Sequence, residues 1–120
     1  MECLFCKIIN KEINSYTIYE DQKLIVFLDI YPEADGHMLI VPKKHIHDLN
    51  DLDDETTIFV MNKAKDMRKL LEERLHIDGL RLIQNNGIIQ DIKHYHLHLK
   101  PYYSSKLPLS DVKEIYDKLK

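Results

Sequence analysis

Near its C-terminal end the chain reads His94-Tyr95-His96-Leu97-His98-Leu99-Lys100-Pro101, with a histidine at every second position from residue 94 to 98. Side chains alternate across a β-strand, so this spacing predicts one strand with three imidazoles on one face, roughly 6.6 Å apart. The same alternation places Tyr95, Leu97 and Leu99 in a core behind that face. Histidine forms strands less readily than valine or isoleucine, so three histidines in phase indicate chemistry.

Three interpretations of this histidine pattern are open. The favoured one is a set of catalytic or phosphate-binding histidines, because neutral imidazole nitrogens attack or transfer protons near physiological pH. The second is a three-histidine metal site, although one strand usually supplies two ligands and another segment the third. The last is a solvated strand face without a function.

The composition is that of a globular protein and narrows the classes of partner. The 120 residues are 44% hydrophobic and 31% charged, with a net charge of −3, which predicts a single domain over residues 1–120. Lys43 and Lys44 lack interleaved aromatic residues, so polymeric nucleic acid is not an expected partner. No apolar run approaches the roughly 20 residues of a membrane span, so we expect no membrane association and a cytoplasmic location.

Two cysteines, Cys3 and Cys6, are spaced for metal or redox chemistry. A redox pair of this kind normally follows a core strand, and we expect no strand before residue 3. Two cysteines are half of a tetrahedral zinc site, and His45 with one histidine of the triple would complete a Cys2His2 set. His37 lies on another predicted strand, where it either orients a ring of the triple or is a satisfied core residue.

Hydrophobic periodicity predicts an α+β fold with an antiparallel meander of about five strands, one long helix and a short C-terminal helix. The predicted strands are residues 16–19, 24–28, 37–41, 80–84 and 94–101. The first two form a hairpin, and the third is central because it is apolar nearly throughout. The long helix begins at Asp53 or Asp54 and ends at Gly79, and the last helix covers about 110–120.

The chain resembles the histidine triad (HIT) family, and several motifs fall in family order over roughly residues 3–103. Besides the histidine stretch these are Cys3-Leu4-Phe5-Cys6-Lys7-Ile8-Ile9, Phe27-Leu28-Asp29-Ile30, Gly36-His37-Met38-Leu39-Ile40-Val41-Pro42-Lys43-Lys44-His45, and Asn85-Asn86-Gly87 followed by Gln90. The match looks like a bacterial, zinc-bearing branch. It implies a HIT-like fold and a homodimer that pairs through the long helix and a sheet edge.

The resemblance implies a nucleotide hydrolase or transferase that attacks the α-phosphate of purine nucleoside phosphoramidates or related nucleotides. His96 matches the nucleophile that becomes nucleotidylated, His98 the histidine that contacts the phosphate beside the leaving group, and His37 a fourth active-site histidine. The implied ligands of a structural zinc are Cys3, Cys6, His45 and His94. The alternatives are a dinucleoside polyphosphate hydrolase, a nucleotide-binding sensor with little turnover, and a plain zinc-binding scaffold.

The implied substrate contacts lie on two segments. Asp29 matches the residue that holds the ribose hydroxyls, and Ile30 would line the base pocket. Asn85 would contact the phosphate side, together with Gln90 and Asp91 of the loop that follows. This loop is shorter than in most relatives, and Asp91 stands where serine or threonine is common. A carboxylate at this position would repel a phosphate, which bears on turnover.

Overall fold

The computed structural model describes residues 3–105 and 107–120. In chain order its helices and strands are α1 Leu4–Ile9, β1 Thr17–Glu20, β2 Leu24–Leu28, β3 Met38–Pro42, α2 Asp54–Leu75, β4 Gly79–Ile83, β5 Leu97–Tyr102 and α3 Val112–Leu119. Short 3-10 turns cover Leu49–Asp51 and Gly87–Ile89. Within these described ranges, no helix is both long and apolar enough to cross a bilayer.

The strands form one antiparallel sheet in the order β1-β2-β3-β5-β4, which confirms the α+β class and the five strands. The predicted antiparallel meander is confirmed only from β1 to β3. After β3 the chain crosses through α2 to the far edge, and β5 then returns between β3 and β4. Burial explains this order, because Leu97 and Leu99 of β5 are buried whereas Arg81 of β4 is exposed.

The central position of β3 is confirmed, and both of its faces are covered. All five of its residues are buried. Met38 and Ile40 pack in the core that contains α2, whereas Leu39 and Val41 pack in a second core with α1. The sheet therefore separates two layers, with α2 and α3 on one side and α1 on the other.

The long helix α2 starts where the sequence predicts and ends earlier. Asp53 caps it, with the side chain accepting a hydrogen bond from the Thr56 N–H at 2.8 Å. The last helical residue is Leu75, because His76 takes a left-handed conformation with φ 54° and ψ 48°. The prediction that Gly79 ends the helix is wrong, and Gly79 is instead the first residue of β4.

The short helix α1 was not predicted, because the motif that begins at Cys3 was interpreted only through its two thiols. Cys3 is the N-cap of this helix, and its Sγ accepts a hydrogen bond from the Cys6 N–H at 3.2 Å. Phe5 and Ile8 are buried against the sheet face opposite α2. The cysteine motif thus also fixes the position of a helix.

The prediction that one strand carries all three histidines of the triple is wrong, because β5 begins at Leu97. The ladder between β3 and β5 pairs Ile40 with Leu97, and its continuation would place Tyr95 opposite Pro42. Proline has no N–H for that ladder. The Tyr95 N–H instead donates to the Ile46 carbonyl at 2.6 Å.

The buried side of the histidine stretch follows the prediction. Tyr95, Leu97 and Leu99 all lie in the core that contains α2. His96 and His98 share the opposite side, with their ring centroids 4.9 Å apart. His94 lies in the loop before β5 and has a different environment.

Candidate active site

A cleft of about 540 Å³ lies on the α1 side of the sheet. This volume is typical of a small-molecule site. One end is apolar, with Leu4, Phe5 and Ile8 of α1 in its wall. The sequence-predicted residues that line it are Asp29, Ile30, His37, Asn85, Asp91, His96 and His98. The structure therefore brings together most of the predicted catalytic and substrate-binding residues.

His96 presents one free nitrogen in this cleft. Its Nδ1 lies 2.8 Å from the His94 carbonyl, which only accepts, so Nδ1 carries the proton and Nε2 has a free lone pair. The Phe5 ring contacts the imidazole edge to face, with centroids 4.9 Å apart. Burial lowers the pKa of His96, although the hydrogen bond to His94 and the charges of nearby carboxylates oppose this shift. A neutral, oriented imidazole is a competent nucleophile.

His37 and His98 form a hydrogen-bonded chain that starts at the backbone. The Glu33 N–H donates to His37 Nδ1 at 3.1 Å, so the neutral His37 ring carries its proton on Nε2. His37 Nε2 then donates to His98 Nδ1 at 3.0 Å. This leaves His98 with its own proton on Nε2, as a donor for an anionic group or a leaving group.

Burial and neighbouring rings keep this pair of histidines neutral near pH 7. Burial lowers the pKa of His98 to about 4, and the adjacent His96 and His37 rings act in the same direction. Burial also lowers the pKa of His37, against the opposing charge of Asp29. Both rings are therefore hydrogen-bonding groups rather than fixed cations at neutral pH.

Asp29 sits at the end of β2 with one oxygen available to a ligand. Its Oδ1 accepts the Tyr31 N–H at 2.8 Å, and its Oδ2 lies 3.6 Å from His37 Nε2. The carboxylate is half-buried and lines the cleft. Ile30, beside it, is 60% exposed and offers an apolar surface. This pairing of an acceptor with an apolar side chain suits a sugar and a base.

Gln90 is the one predicted substrate-binding residue that does not line the cleft. It is only 3% exposed, and its Nε2 donates to the His47 carbonyl at 2.7 Å. Its own N–H donates to the Gly87 carbonyl at 3.0 Å. The structure therefore places Gln90 at the base of the loop, where it fixes the segment that leads to Asp91.

Sequence reasoning missed three residues that shape the site. Lys93 Nζ holds the loop through the carbonyls of Gly87 at 3.0 Å and Gln90 at 2.8 Å. Lys100, which pairs with Glu33, lines the cleft beside His98. The two-residue spacing of His96, His98 and Lys100 was a signal for Lys100. Phe5 and Lys93 have no comparable signature in the sequence.

A second cluster, next to the cleft, has the donor set of a metal site. The ligand atoms of Cys3, Cys6, His45 and His94 all lie within 4.8 Å of one another. Cys3 Sγ lies 3.4 Å from His94 Nδ1, and Cys6 Sγ lies 3.3 Å from His45 Nδ1. The structure thus brings together the four residues that the family resemblance implied.

The hydrogen bonding of His94 fits a metal ligand. His94 Nε2 lies 2.7 Å from the Pro42 carbonyl and so carries the proton, which leaves Nδ1 unprotonated toward the sulfurs. Burial and the neighbouring Cys3 raise the pKa of the Cys6 thiol to about 11, which disfavours a free thiolate. A cation reverses that preference, so metal binding here would release protons.

The ligand atoms of Asp29, His37 and His98 also lie within 4.8 Å of one another, but this group does not fit a metal. A metal on His37 Nε2 requires the proton of the ring on Nδ1. That nitrogen already accepts the Glu33 N–H at 3.1 Å. The arrangement of His37 and His98 therefore supports a chain of hydrogen bonds that leads to the cleft, and it does not support a metal site.

Comparison with known proteins gives consistent matches. The HIT domain model matches residues 10–104. An uncharacterized HIT-like protein of Methanocaldococcus jannaschii is 41% identical over 104 residues, covering 84% of this chain and 79% of that protein. The adenosine 5'-monophosphoramidase of Saccharomyces cerevisiae is 41% identical over 106 residues, covering 87% and 65%. A zinc-bound histidine triad protein of Mycobacterium smegmatis superposes with a TM-score of 0.91 at 32% identity, covering 99% and 91%.

Proposed function

This chain belongs to the HIT family, and from that premise we propose that it is a phosphoramidase-like nucleotide hydrolase. Its substrate would be a purine nucleoside monophosphate joined to an amine or a related leaving group. The yeast relative, which is named an adenosine 5'-monophosphoramidase, supports nucleotide hydrolysis. The observation that carries the proposal is the free Nε2 of His96 in a cleft that also presents the Nε2–H of His98.

In the first step His96 Nε2 attacks the α-phosphorus and forms a phosphorus–nitrogen bond. The bond from phosphorus to the leaving nitrogen breaks, and its electron pair stays with that nitrogen. The leaving amine takes the proton that it needs from solvent, and the neutral His98 ring donates its Nε2–H as a hydrogen bond to the phosphate beside the leaving group. The products of this step are a nucleotidyl-His96 and a free amine.

In the second step water releases the nucleotide. The water oxygen attacks phosphorus, the bond to His96 Nε2 breaks, and the electron pair returns to the imidazole. The proton lost by water returns to solvent, which balances the proton taken up in the first step, and His98 keeps its Nε2–H toward the phosphate. The sum is the substrate plus water giving a nucleoside monophosphate and an amine. His37 holds His98 in place through the 3.0 Å hydrogen bond.

The remaining cleft residues support nucleotide binding. Asp29 Oδ2 would accept the ribose hydroxyls, and Ile30 with the apolar wall of α1 would cover the base. Asn85 would contact the phosphate side. Each of these residues lines the cleft, and Asp29 keeps one oxygen without a backbone donor.

We also propose that the cluster of Cys3, Cys6, His45 and His94 holds a structural zinc. Four protein ligands leave no open position on a tetrahedral ion, so zinc here would supply cross-linking and no reaction chemistry. The zinc-bound mycobacterial relative supports this assignment. Two reduced thiols fit a cytoplasmic location, which is also part of the proposal.

The proposed assembly is a homodimer of single-domain subunits spanning residues 1–120. Packing of α3 residues Ile115 and Leu119 against the main core supports one domain. The edge strand β4 exposes Leu82, and α2 exposes Ile58 and Met61, and these apolar side chains support a second copy packed on the two elements. A dimer through these surfaces would match the expectation from the family resemblance.

Hydrolysis assays with separated products test the proposed function. The wild-type protein should convert adenosine 5'-phosphoramidate to AMP, and His96→Ala should lower kcat by several orders of magnitude with little change in nucleotide affinity. His47→Ala is the matched control, since the side chain of His47 is exposed and outside the cleft lining. Equal rates in His96→Ala and wild type would contradict the proposal.

The same assay separates the hydrolase from its second candidate, a nucleotide-binding sensor. The observation that favours a sensor is Asp91, a carboxylate in the cleft wall where a phosphate would bind. A sensor would bind AMP tightly and show no turnover with any phosphoramidate.

A further inference from the structure

The cleft carries more negative than positive charge. Among the described residues that line it, the acids are Asp29, Glu33 and Asp91, and the ammonium group is that of Lys100. Lys100 is already paired with Glu33. His37 and His98 add no balancing charge at neutral pH, because burial lowers the pKa of each ring. A phosphate-binding cleft with this balance has a built-in bias against further anionic groups.

Asp91 is the acid in the cleft wall to which the described residues supply neither an ion pair nor a hydrogen-bond donor. The described lysines and arginines form their ion pairs with other carboxylates. Lys93, two residues away, gives its Nζ to the carbonyls of Gly87 and Gln90. Asp29 differs, since it accepts the Tyr31 N–H and lies 3.6 Å from His37 Nε2.

The loop backbone places Asp91, with an exposed side chain, in the wall of the cleft that holds the reacting histidines. Gln90, immediately before it, is anchored by the 2.7 Å hydrogen bond to the His47 carbonyl. Asp91 lines the cleft together with His96 and His98, and its charge reaches the His96 ring.

We propose that Asp91 is a specificity-determining residue that disfavours substrates with an anionic leaving group, an inference that rests on the proposed hydrolase function. A carboxylate in the wall of this cleft repels each additional negative charge of the substrate and attracts a positive one. The substrate class is therefore a nucleoside monophosphate joined to a neutral or cationic amine. Dinucleoside polyphosphates, with their added phosphates, are selected against.

Two adenosine phosphoramidates of equal length test this inference, one ending in an ammonium group and one in a carboxylate. The wild-type protein should prefer the ammonium compound in kcat/KM by about tenfold, and Asp91→Asn and Asp91→Ser should each reduce this preference about three- to tenfold. High salt should weaken the preference of the wild type. Asp66→Asn is the control, because this substitution removes the same charge from an exposed position on α2, on the other side of the sheet from the cleft.

Binding measurements separate failure of this inference from failure of the hydrolase proposal. In a His96→Ala background, calorimetry gives the Kd of both compounds with and without Asp91→Asn. If the wild type hydrolyses neither compound, the hydrolase proposal is overturned and the Kd ratios still decide the role of Asp91. A ratio of Kd values that Asp91→Asn leaves unchanged would overturn the inference, and a ratio that falls toward one would support it.

Discussion

The hydrogen bonds of single residues decide which nitrogen each histidine of the cleft presents. A backbone carbonyl holds the proton of His96 on Nδ1, and a backbone N–H fixes the proton of His37 on Nε2. His98 receives its orientation from His37 in turn. The sequence predicted these three histidines as a functional set, but it contained no signal for their tautomers, because those depend on carbonyl and amide positions set by the fold.

At this scale we predict that His98 titrates far below an ordinary histidine. Burial lowers its pKa to about 4, so NMR of the imidazole C–H signals should give a midpoint near that value in the folded protein. The unfolded chain takes up this proton near the ordinary histidine pKa of 6.5, and so binds more protons than the folded chain in the interval below 6.5. The contribution of His98 to stability is therefore fully present above that value and is lost as the pH falls toward 4.

Thermal unfolding at several pH values checks the sign of this linkage. Between pH 7 and pH 5 the Tm of the wild type should fall more steeply than that of His98→Asn, which has no group to protonate. Both proteins keep the same cysteine–histidine cluster, so metal loss contributes equally to the two curves. Parallel curves, or a His98 midpoint near 6.5, would contradict the burial account.

At the scale of the elements, hydrophobic periodicity correctly predicted which faces of the strands and of the long helix are buried. The alternating strands and the face of α2 with Val60, Ala64, Met67 and Leu71 are buried as expected. The six-residue helix α1 is too short for a helical period to emerge, and its cap is a cysteine. The break before β5 depends on Pro42, which would face Tyr95 if the ladder continued, and no local sequence pattern contains that register.

The position of α1 should depend on the cysteine–histidine cluster. Cys6→Ser removes one ligand, so zinc content should fall well below one per chain, and amide hydrogens of Leu4–Ile9 should exchange faster. Asn10→Ser, at the exposed end of the same helix, is a control that keeps all four ligands. Equal zinc content in Cys6→Ser and wild type would exclude the metal assignment.

Two glycines with left-handed backbone provide a matched test of how tightly the segment before β3 packs against α2. A Cβ on Gly36 (φ 89°) would lie 2.8 Å from Leu71 Cδ2 and 2.8 Å from Leu75 Cδ1, whereas one on Gly87 (φ 73°) meets no atom within 4 Å. Leu71 is fully buried and has little room to shift. Gly36→Ala should therefore lower the free energy of unfolding by about 1–3 kcal/mol more than Gly87→Ala.

Urea denaturation of the two variants measures this difference directly. Both substitutions share the backbone strain of a non-glycine residue at positive φ, so strain cancels in the comparison. The overlap with α2 remains as the difference. Equal destabilisation would show that the α2 side chains move aside without a loss of stability, which would contradict tight packing between Gly36 and α2.

At the scale of the whole molecule, the sheet separates the main hydrophobic core on one side from the candidate functional sites on the other. The α2 side contributes the larger core, while the α1 side holds the cleft and the cysteine–histidine cluster. The sequence predicted the strands, but not that β5 would lie between β3 and β4, because that order follows from long-range burial. Residue type and motif order were enough to predict the four residues of the cysteine–histidine cluster and most polar residues of the cleft, but not Phe5 or Lys100.

The exposed edge of the sheet should be covered in solution by a second copy of the chain. Leu82 in β4 is 44% exposed, and a paired edge would bury it. Sedimentation should give a mass near twice the 14.3 kDa of the chain, and Leu82→Lys should shift the protein toward the monomer. A monomeric wild type at micromolar concentration would contradict the proposed dimer.

Detection of the covalent intermediate tests the central claim most directly. The wild-type protein is mixed with adenosine 5'-phosphoramidate, quenched within milliseconds into alkaline denaturant, digested and analysed by mass spectrometry. We predict an adenylyl group on His96 in the wild type and in His47→Ala, and no adduct in His96→Ala. An adduct on another residue, or AMP release by His96→Ala at the wild-type rate, would contradict the assignment of His96 as the nucleophile.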